Sequence, residues 1–206
     1  MGRRNRRRTD PVHIFISSNP SIGDDNEAFG ASSNDALWDS HHYAFGGGKG
    51  KFIIDGIFPA KADRGKLKRV AYWVAMRARA RELIPDAVPG QDYALTEVVH
   101  CKSKEEIGVR RAASTCWDLH SEPVLALSPA AVVIVVGQVA REFFLGIGAP
   151  IPGEIEERKL GGRLRLMAYL PHPAGFAKKK TLAGLLVPLD VDRLRLAAIA
   201  ARSPHS

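Results

Sequence analysis

The run Ala131–Gly137, AVVIVVG, is apolar at every position and dominated by valine and isoleucine, and its reading decides the fold. A strand with one wet face alternates apolar and polar side chains, whereas one covered on both faces does not. The run therefore predicts a central strand with helices on either side. Three more strand-like runs surround it in the chain: Val12–Ser18 (VHIFISS), Tyr93–His100 (YALTEVVH) and Arg163–Leu170 (RLRLMAYL), each rich in β-branched or aromatic residues. Helical patterns occupy Gly65–Ile84, Glu105–Leu127 and Gln138–Leu145, and Val191–Ala201 closes the chain. Strands separated by helices form βαβ units with parallel pairing. The expected class is α/β, a three-layer α/β/α sandwich around a four-stranded, mainly parallel sheet. No internal repeat is visible.

At 206 residues and 45% hydrophobic content, the chain can bury one substantial core, and a second full domain would be crowded. The expectation is a single domain over 11–202 preceded by a disordered basic arm, 1–10. Thirty Lys+Arg against 22 Asp+Glu give a net charge of +8, which favours a polyanionic partner, nucleic acid first. The opening MGRRNRRR resembles the start of a basic signal, but no apolar segment follows it before Pro11,. No apolar run approaches the roughly 18 residues of a membrane span. Two cysteines do not suggest a disulfide scaffold. A soluble, cytoplasmic, monomeric protein of a reducing compartment is expected, with no membrane partner.

In open parallel sheets, ligands bind beyond the carboxyl ends of the strands. The segments to inspect are Ser17–Ser21, Glu97–Cys101, Gly137 with Gln138, and Pro171–Phe176. Ser17-Ser18-Asn19-Pro20-Ser21 thus ends the first strand at the rim where a ligand would sit, its small residues allowing close backbone approach.

Together these segments resemble the uracil-DNA glycosylase superfamily. Ser17-Ser18-Asn19-Pro20-Ser21 is similar to the Gly-x-Asn-Pro-Gly motif of its mismatch-specific and single-strand-selective branches, and His172-Pro173-Ala174-Gly175-Phe176 to its His-Pro-Ser motif and DNA-penetrating loop. ALTEVVHCKSKEEIGVRRAASTC, LSPAAVVIVVGQVAREFF and AFGGGKGKFIID resemble segments of the iron–sulfur branch. The likeness runs from about Val12 to Leu182. Ser17 and Ser21 replace glycines, Ala174 replaces a serine, and Glu97 stands where the iron–sulfur branch has a base-reading asparagine. That branch needs four cysteines, and only Cys101 and Cys116 are present. No iron–sulfur cluster or other cofactor is expected.

Breaking an N-glycosidic bond requires stabilising a departing base anion and an oxocarbenium-like sugar, then delivering water. The resemblance assigns water orientation to Asn19, whose carboxamide can accept a hydrogen bond without ionising. The plainer reading is an Asx-turn before Pro20. Ser18, Pro20 and Ser21 would line the substrate beside it. His172 would stabilise charge on the base; a histidine before a proline is otherwise structural. Phe176 would enter the base stack while Lys178, Lys179 and Lys180 meet phosphates, against the plainer reading of a solvated basic run. Phe45 would stack on the extruded base, with Phe29 as its competitor. Glu97 would read the base edge, or else turn away to pair with a cation such as Lys102. The His41-His42 pair lacks further ligands at zinc-site spacing, so no metal is expected, and the two cysteines read as buried thiols. The resemblance implies a monofunctional DNA glycosylase-like enzyme that flips a damaged or modified base, with DNA as partner. The alternative is a modified-base or lesion-binding module that has lost turnover; a hydrolase of free nucleosides would need neither the arginine-rich arm nor the Phe-Lys loop.

Overall fold

A computed structural model of the protein describes residues 11–18, 62–63, 66–67, 71–100, 106–146 and 148–202. Two strands buried along their whole length lie side by side. Strands β1 (His13–Ser17) and β5 (Val132–Val136) are buried at every position, and they pair in parallel with Phe15 opposite Ile134. A short ladder, β2 (Ala62–Asp63) with β3 (Lys66–Leu67), stands apart from this sheet. Strand β4 (Tyr93–Glu97) flanks β1 in parallel, placing Ser17 opposite Glu97, and β7 (Arg163–Leu170) flanks β5 in parallel. All four parallel strands therefore present their carboxyl ends along one edge.

The sheet has five strands, in the order β4-β1-β5-β7-β6, and is mixed. The expected four are joined by β6 (Ile155–Leu160), which runs antiparallel to β7. Four of its six residues are charged, which hides it from a propensity reading and also protects an exposed sheet edge from pairing with other chains. The overlooked signal is Gly161-Gly162, both at positive φ (57° and 75°), the pair that a two-residue hairpin favours.

Side chains alternate between two cores. Phe15, Ile134, Val136 and Leu170 pack with Met76, Leu83 and Leu194, while Ile14, Ile16, Val133 and Val135 pack with Trp117, Leu125 and Phe144. Helices α1 (Ala71–Leu83), α5 (Leu182–Leu185) and α6 (Pro188–Arg202) supply the first face; α2 (Val109–Cys116), α3 (Glu122–Leu127) and α4 (Gln138–Phe144) supply the second. Each large side chain so buried contributes roughly 1.5–3 kcal/mol.

Helix boundaries follow local chemistry. The first helix is described from Ala71, and Lys66–Leu67, inside the helix expected from Gly65, form strand β3 instead. The last begins earlier than expected, at Pro188, a residue suited to the first helical position, with Asp190 in the first turn,. Between α2 and α3 the chain winds a π-turn, Trp117–Ser121, in which the Glu122 amide reaches back to the Trp117 carbonyl. Pro123 explains the widening, because its ring lacks an N–H and crowds the preceding turn.

Two buried polar side chains deserve an energetic account. His13 is fully buried, stacks on Tyr93 at 5.7 Å and meets Phe15 edge-on; neither ring nitrogen is hydrogen-bonded. Burial pushes its pKa down to about 3, so it is neutral. Arg165 is only 1% exposed, yet its guanidinium donates to four carbonyls: Leu160 (3.1 Å), Leu125 (2.5 Å), Ser128 (3.0 Å) and Ala130. It thereby satisfies the open carboxyl end of α3 and ties it to the β6–β7 hairpin.

Replacing Arg165 by Met keeps much of the volume but strands these carbonyls. Urea unfolding should show a loss of at least about 3 kcal/mol, the scale of a broken buried polar network. A loss below about 1 kcal/mol would contradict this role.

Candidate functional site

At the carboxyl edge, β5 and β7 end in a single contact. The Gly137 amide donates to the Leu170 carbonyl at 2.8 Å, and the chain leaves β5 through Gly137 at φ 88°, ψ 158°, a conformation essentially restricted to glycine. A Cβ there would stand 3.4 Å from the His172 Cβ. The turn thus lets the first residues after β7 settle directly over the end of β5.

His172 sits on this step, exposed on one side. Its ring stacks on Tyr72 of α1 with centroids 5.3 Å apart and planes 13° from parallel. The Ala174 amide donates to His172 Nδ1 at 3.3 Å, which leaves the ring proton on Nε2. Burial holds the imidazole pKa below its usual value; Glu106 opposes this and Lys180 adds to it. The side chain is therefore a neutral Nε2–H donor at neutral pH.

Beneath the ring lies a second pair. Ser17 and Glu97 are cross-strand neighbours, and the Tyr72 hydroxyl is buried in the electrostatic reach of both, without a well-formed hydrogen bond. Burial and the Glu97 charge push the phenol upward, so it stays protonated. Burial likewise raises the Glu97 carboxyl to about 7. A desolvated carboxyl with no stabilising cation among the described residues keeps part of its protons into the neutral range. The edge therefore offers two groups that are uncharged near pH 7, Tyr72 and His172, and a carboxyl, Glu97, that is about half protonated there.

Glu97 is held from behind. Ser121, on the π-turn, donates to the Glu97 carbonyl at 2.9 Å and lies 3.2 Å from His100 Nε2. The His100 ring stacks on His120 at 5.2 Å, and the His100 amide donates to the Cys116 thiol, which is free and buried. Across the rim, Ser18 donates through its hydroxyl to the Glu106 carboxylate. Glu106 takes up φ 59° to do so, a left-handed conformation uncommon outside glycine.

The loop after β7 projects outward. Phe176 is fully exposed at 107%, an orientation with no gain from packing. Lys178 and Lys179 are exposed beside it, while Lys180 is half-buried with its ammonium on the Pro173 carbonyl at 2.7 Å. Of the site residues read from the sequence, Ser18, Glu97, His172, Phe176 and the three lysines lie along this edge. Asn19, Pro20, Ser21, Phe45 and its competitor Phe29 lie outside the described residues, as do 1–10, His41, His42, Cys101 and Lys102. Tyr72 and Glu106 escaped the sequence reading: one lies in an ordinary amphipathic helix, the other in a charged loop, and neither pattern announces an inward hydroxyl or a cross-loop carboxylate.

Among the described residues no helix is long and apolar enough to cross a membrane, and no group of three His, Cys, Asp or Glu side chains could hold a metal ion. No protein-family model matches the chain, and no curated protein matches it.

The Glu97 carboxyl sets a measurable pH dependence. Its folded value, about 7, lies above that of an unfolded carboxylate, so the native state binds more protons between roughly pH 4.5 and 7 and loses stability as pH rises through that window. Relative to Glu97→Gln, wild-type stability should fall by up to about 3 kcal/mol between pH 4.5 and 8, read by urea unfolding. The opposite contribution of His13 is common to both proteins and cancels. Parallel stability curves would contradict a buried, unpaired carboxyl.

Proposed function

We propose that the chain is a monofunctional DNA glycosylase-like protein, which turns a damaged or modified base out of DNA and hydrolyses its N-glycosidic bond. The observation that carries this reading is the meeting, on one sheet edge, of a neutral imidazole and a carboxyl that keeps part of its protons at neutral pH with an exposed aromatic loop followed by lysines. The first suits a neutral heterocycle; the second suits a wedge in stacked bases and contact with phosphates. The excess of positive charge over the whole chain supports a polyanionic partner.

In this mechanism the bond between the sugar carbon and the base nitrogen breaks, and its electron pair departs with the base. The neutral Nε2–H of His172 donates toward the oxygen on which that charge gathers, a preorganised interaction that costs no proton transfer. Asn19 orients the water whose oxygen joins the sugar carbon, and the water's surplus proton passes to solvent. Glu97 in its protonated form donates to the ring nitrogen of a cytosine-type base while accepting from its exocyclic amine. Ionised, it can only accept, and it faces uracil O4 with like polarity. The expected substrate is therefore a cytosine derivative or another modified base, with uracil a weak one.

A second reading, binding of a modified base without turnover, draws on Ala174, which presents a methyl group where the resembled motif has a hydroxyl. The two readings separate on product. Asn19→Ala and His172→Ala should each lower single-turnover excision at least about tenfold while DNA affinity changes much less. Wild-type rates in both variants would remove this mechanism, and tight binding with no released base would favour the second reading.

Base selection has its own test. At pH 8, where Glu97 is mostly ionised, Glu97→Asn should raise uracil excision, because an asparagine can accept from N3–H and donate to O4 together. Robust wild-type uracil removal, unaltered in Glu97→Asn, would contradict the assigned role.

A further inference from the structure

The loop that carries His172 and Phe176 is fastened at both ends to the helix that carries Tyr72. Lys180 Nζ donates to the Pro173 carbonyl, seven residues back, at 2.7 Å, and so closes the loop on itself. Arg79 of α1 donates from one guanidinium nitrogen to the Lys180 carbonyl at 2.8 Å. Its Nε forms an ion pair with Glu82 Oε1 at 2.5 Å, without hydrogen-bond geometry. The other Glu82 oxygen accepts from the Ala183 amide at 3.1 Å, and the Glu82 carbonyl accepts from Arg195 Nε at 2.7 Å. Arg79 and Glu82 are largely buried, at 18% and 17% side-chain exposure. These bonds run from α1 through the loop end to α5 and α6.

We infer that Arg79 and Lys180 form a latch that holds the Pro173–Lys180 loop at a fixed height over α1, making both of them positioning residues for His172 and Phe176. The geometry separates Lys180 from its two neighbours. Its ammonium is turned onto a carbonyl of its own loop, while Lys178 and Lys179 remain exposed. An ammonium so engaged closes the loop and leaves phosphate contact to the other two. The loop needs such a device because its apolar tip gains nothing from burial: Phe176 is fully exposed, and among the described residues the Gly175 amide is tied to the His172 carbonyl of the same loop at 2.9 Å. Tyr72 and Arg79 lie on one helix, two turns apart,. A loop pinned to Arg79 is therefore registered against the ring on which His172 stacks.

The inference rests on the proposed role of the loop in DNA, but its first test uses DNA-free protein. Arg79→Met removes the latch without touching His172, and its folding is checked by the urea midpoint. NMR should then show exchange of the Gly175 amide accelerated at least tenfold. The His172 titration should move upward toward that of a free imidazole, as the ring leaves Tyr72 and gains water. Arg79→Lys, which keeps one donor, should restore part of both. If Arg79→Met does not fold, Lys180→Gln gives the same exchange readout. Unchanged exchange and an unchanged His172 titration would overturn the latch, whatever the excision assay finds. With DNA, Lys180→Gln should lower the single-turnover rate at least tenfold and leave the salt dependence of binding intact. A slope reduced by about one, as for a lost phosphate contact, with an unchanged rate would also overturn it. A wild-type chain that releases no base from any DNA would count against excision alone, because the latch is read from the free protein.

Discussion

The backbone of Gly137 is the constraint on which the rest of the edge depends. Two parallel strands, β5 and β7, must end together, and the chain must then leave in opposite directions: into α4 from one strand, and across the rim from the other. Glycine resolves this by taking a conformation closed to other residues, donating its amide to the last carbonyl of β7, and leaving room above its Cα for His172,. A side chain at 137 would strain the turn, which lies at φ 88°. The position of the ring over Tyr72, the direction of the loop and the reach of Phe176 all follow from this step.

The electrostatics of the edge follow from burial more than from pairing. A carboxylate beside an arginine would be charged and ready for a cation or a donor. Among the described residues Glu97 has no such neighbour, and desolvation instead raises its pKa to about 7,. Tyr72 is kept protonated by the same cause, and His172 is kept neutral. Salt bridges are abundant elsewhere, between Arg110 and Glu142 or Arg202 and Asp86, but these are surface pairs of small energetic weight. The contrast is between a surface of paired charges and an edge where desolvation sets the protonation of Tyr72, Glu97 and His172.

Much of the fold was legible in the sequence because one central strand is apolar at every position. AVVIVVG admits little besides a strand covered on both faces, VHIFIS is rich in β-branched and aromatic residues, and RLRLMAYL becomes β7 at its expected limits. What escaped was set by other physics. Strand β6 is a charged edge whose existence depends on a glycine turn, so a composition reading passes over it. The π-turn comes from one proline inside a helical pattern. At the site, the motif positions Glu97, His172 and Phe176 were visible as strand ends. Tyr72, Arg79 and Glu106 were not, because their roles arise from which face of α1, or which side of a loop, meets the rim, and that is fixed only once the layers are assembled. Lys180 shows the same limit: three consecutive lysines look equivalent in a sequence, and a carbonyl seven residues away distinguishes one of them.

The central question is whether this sheet edge acts on a base within DNA. The most direct measurement is incubation of the wild-type protein with single-strand and duplex oligonucleotides, each carrying one modified base. Released base is then quantified by mass spectrometry, and abasic sites by alkaline cleavage. The account predicts free base and alkali-labile sites in equal amounts from at least one modified-base substrate, with intact strands before alkali treatment. No released base from any substrate, at enzyme in excess over DNA, would contradict it.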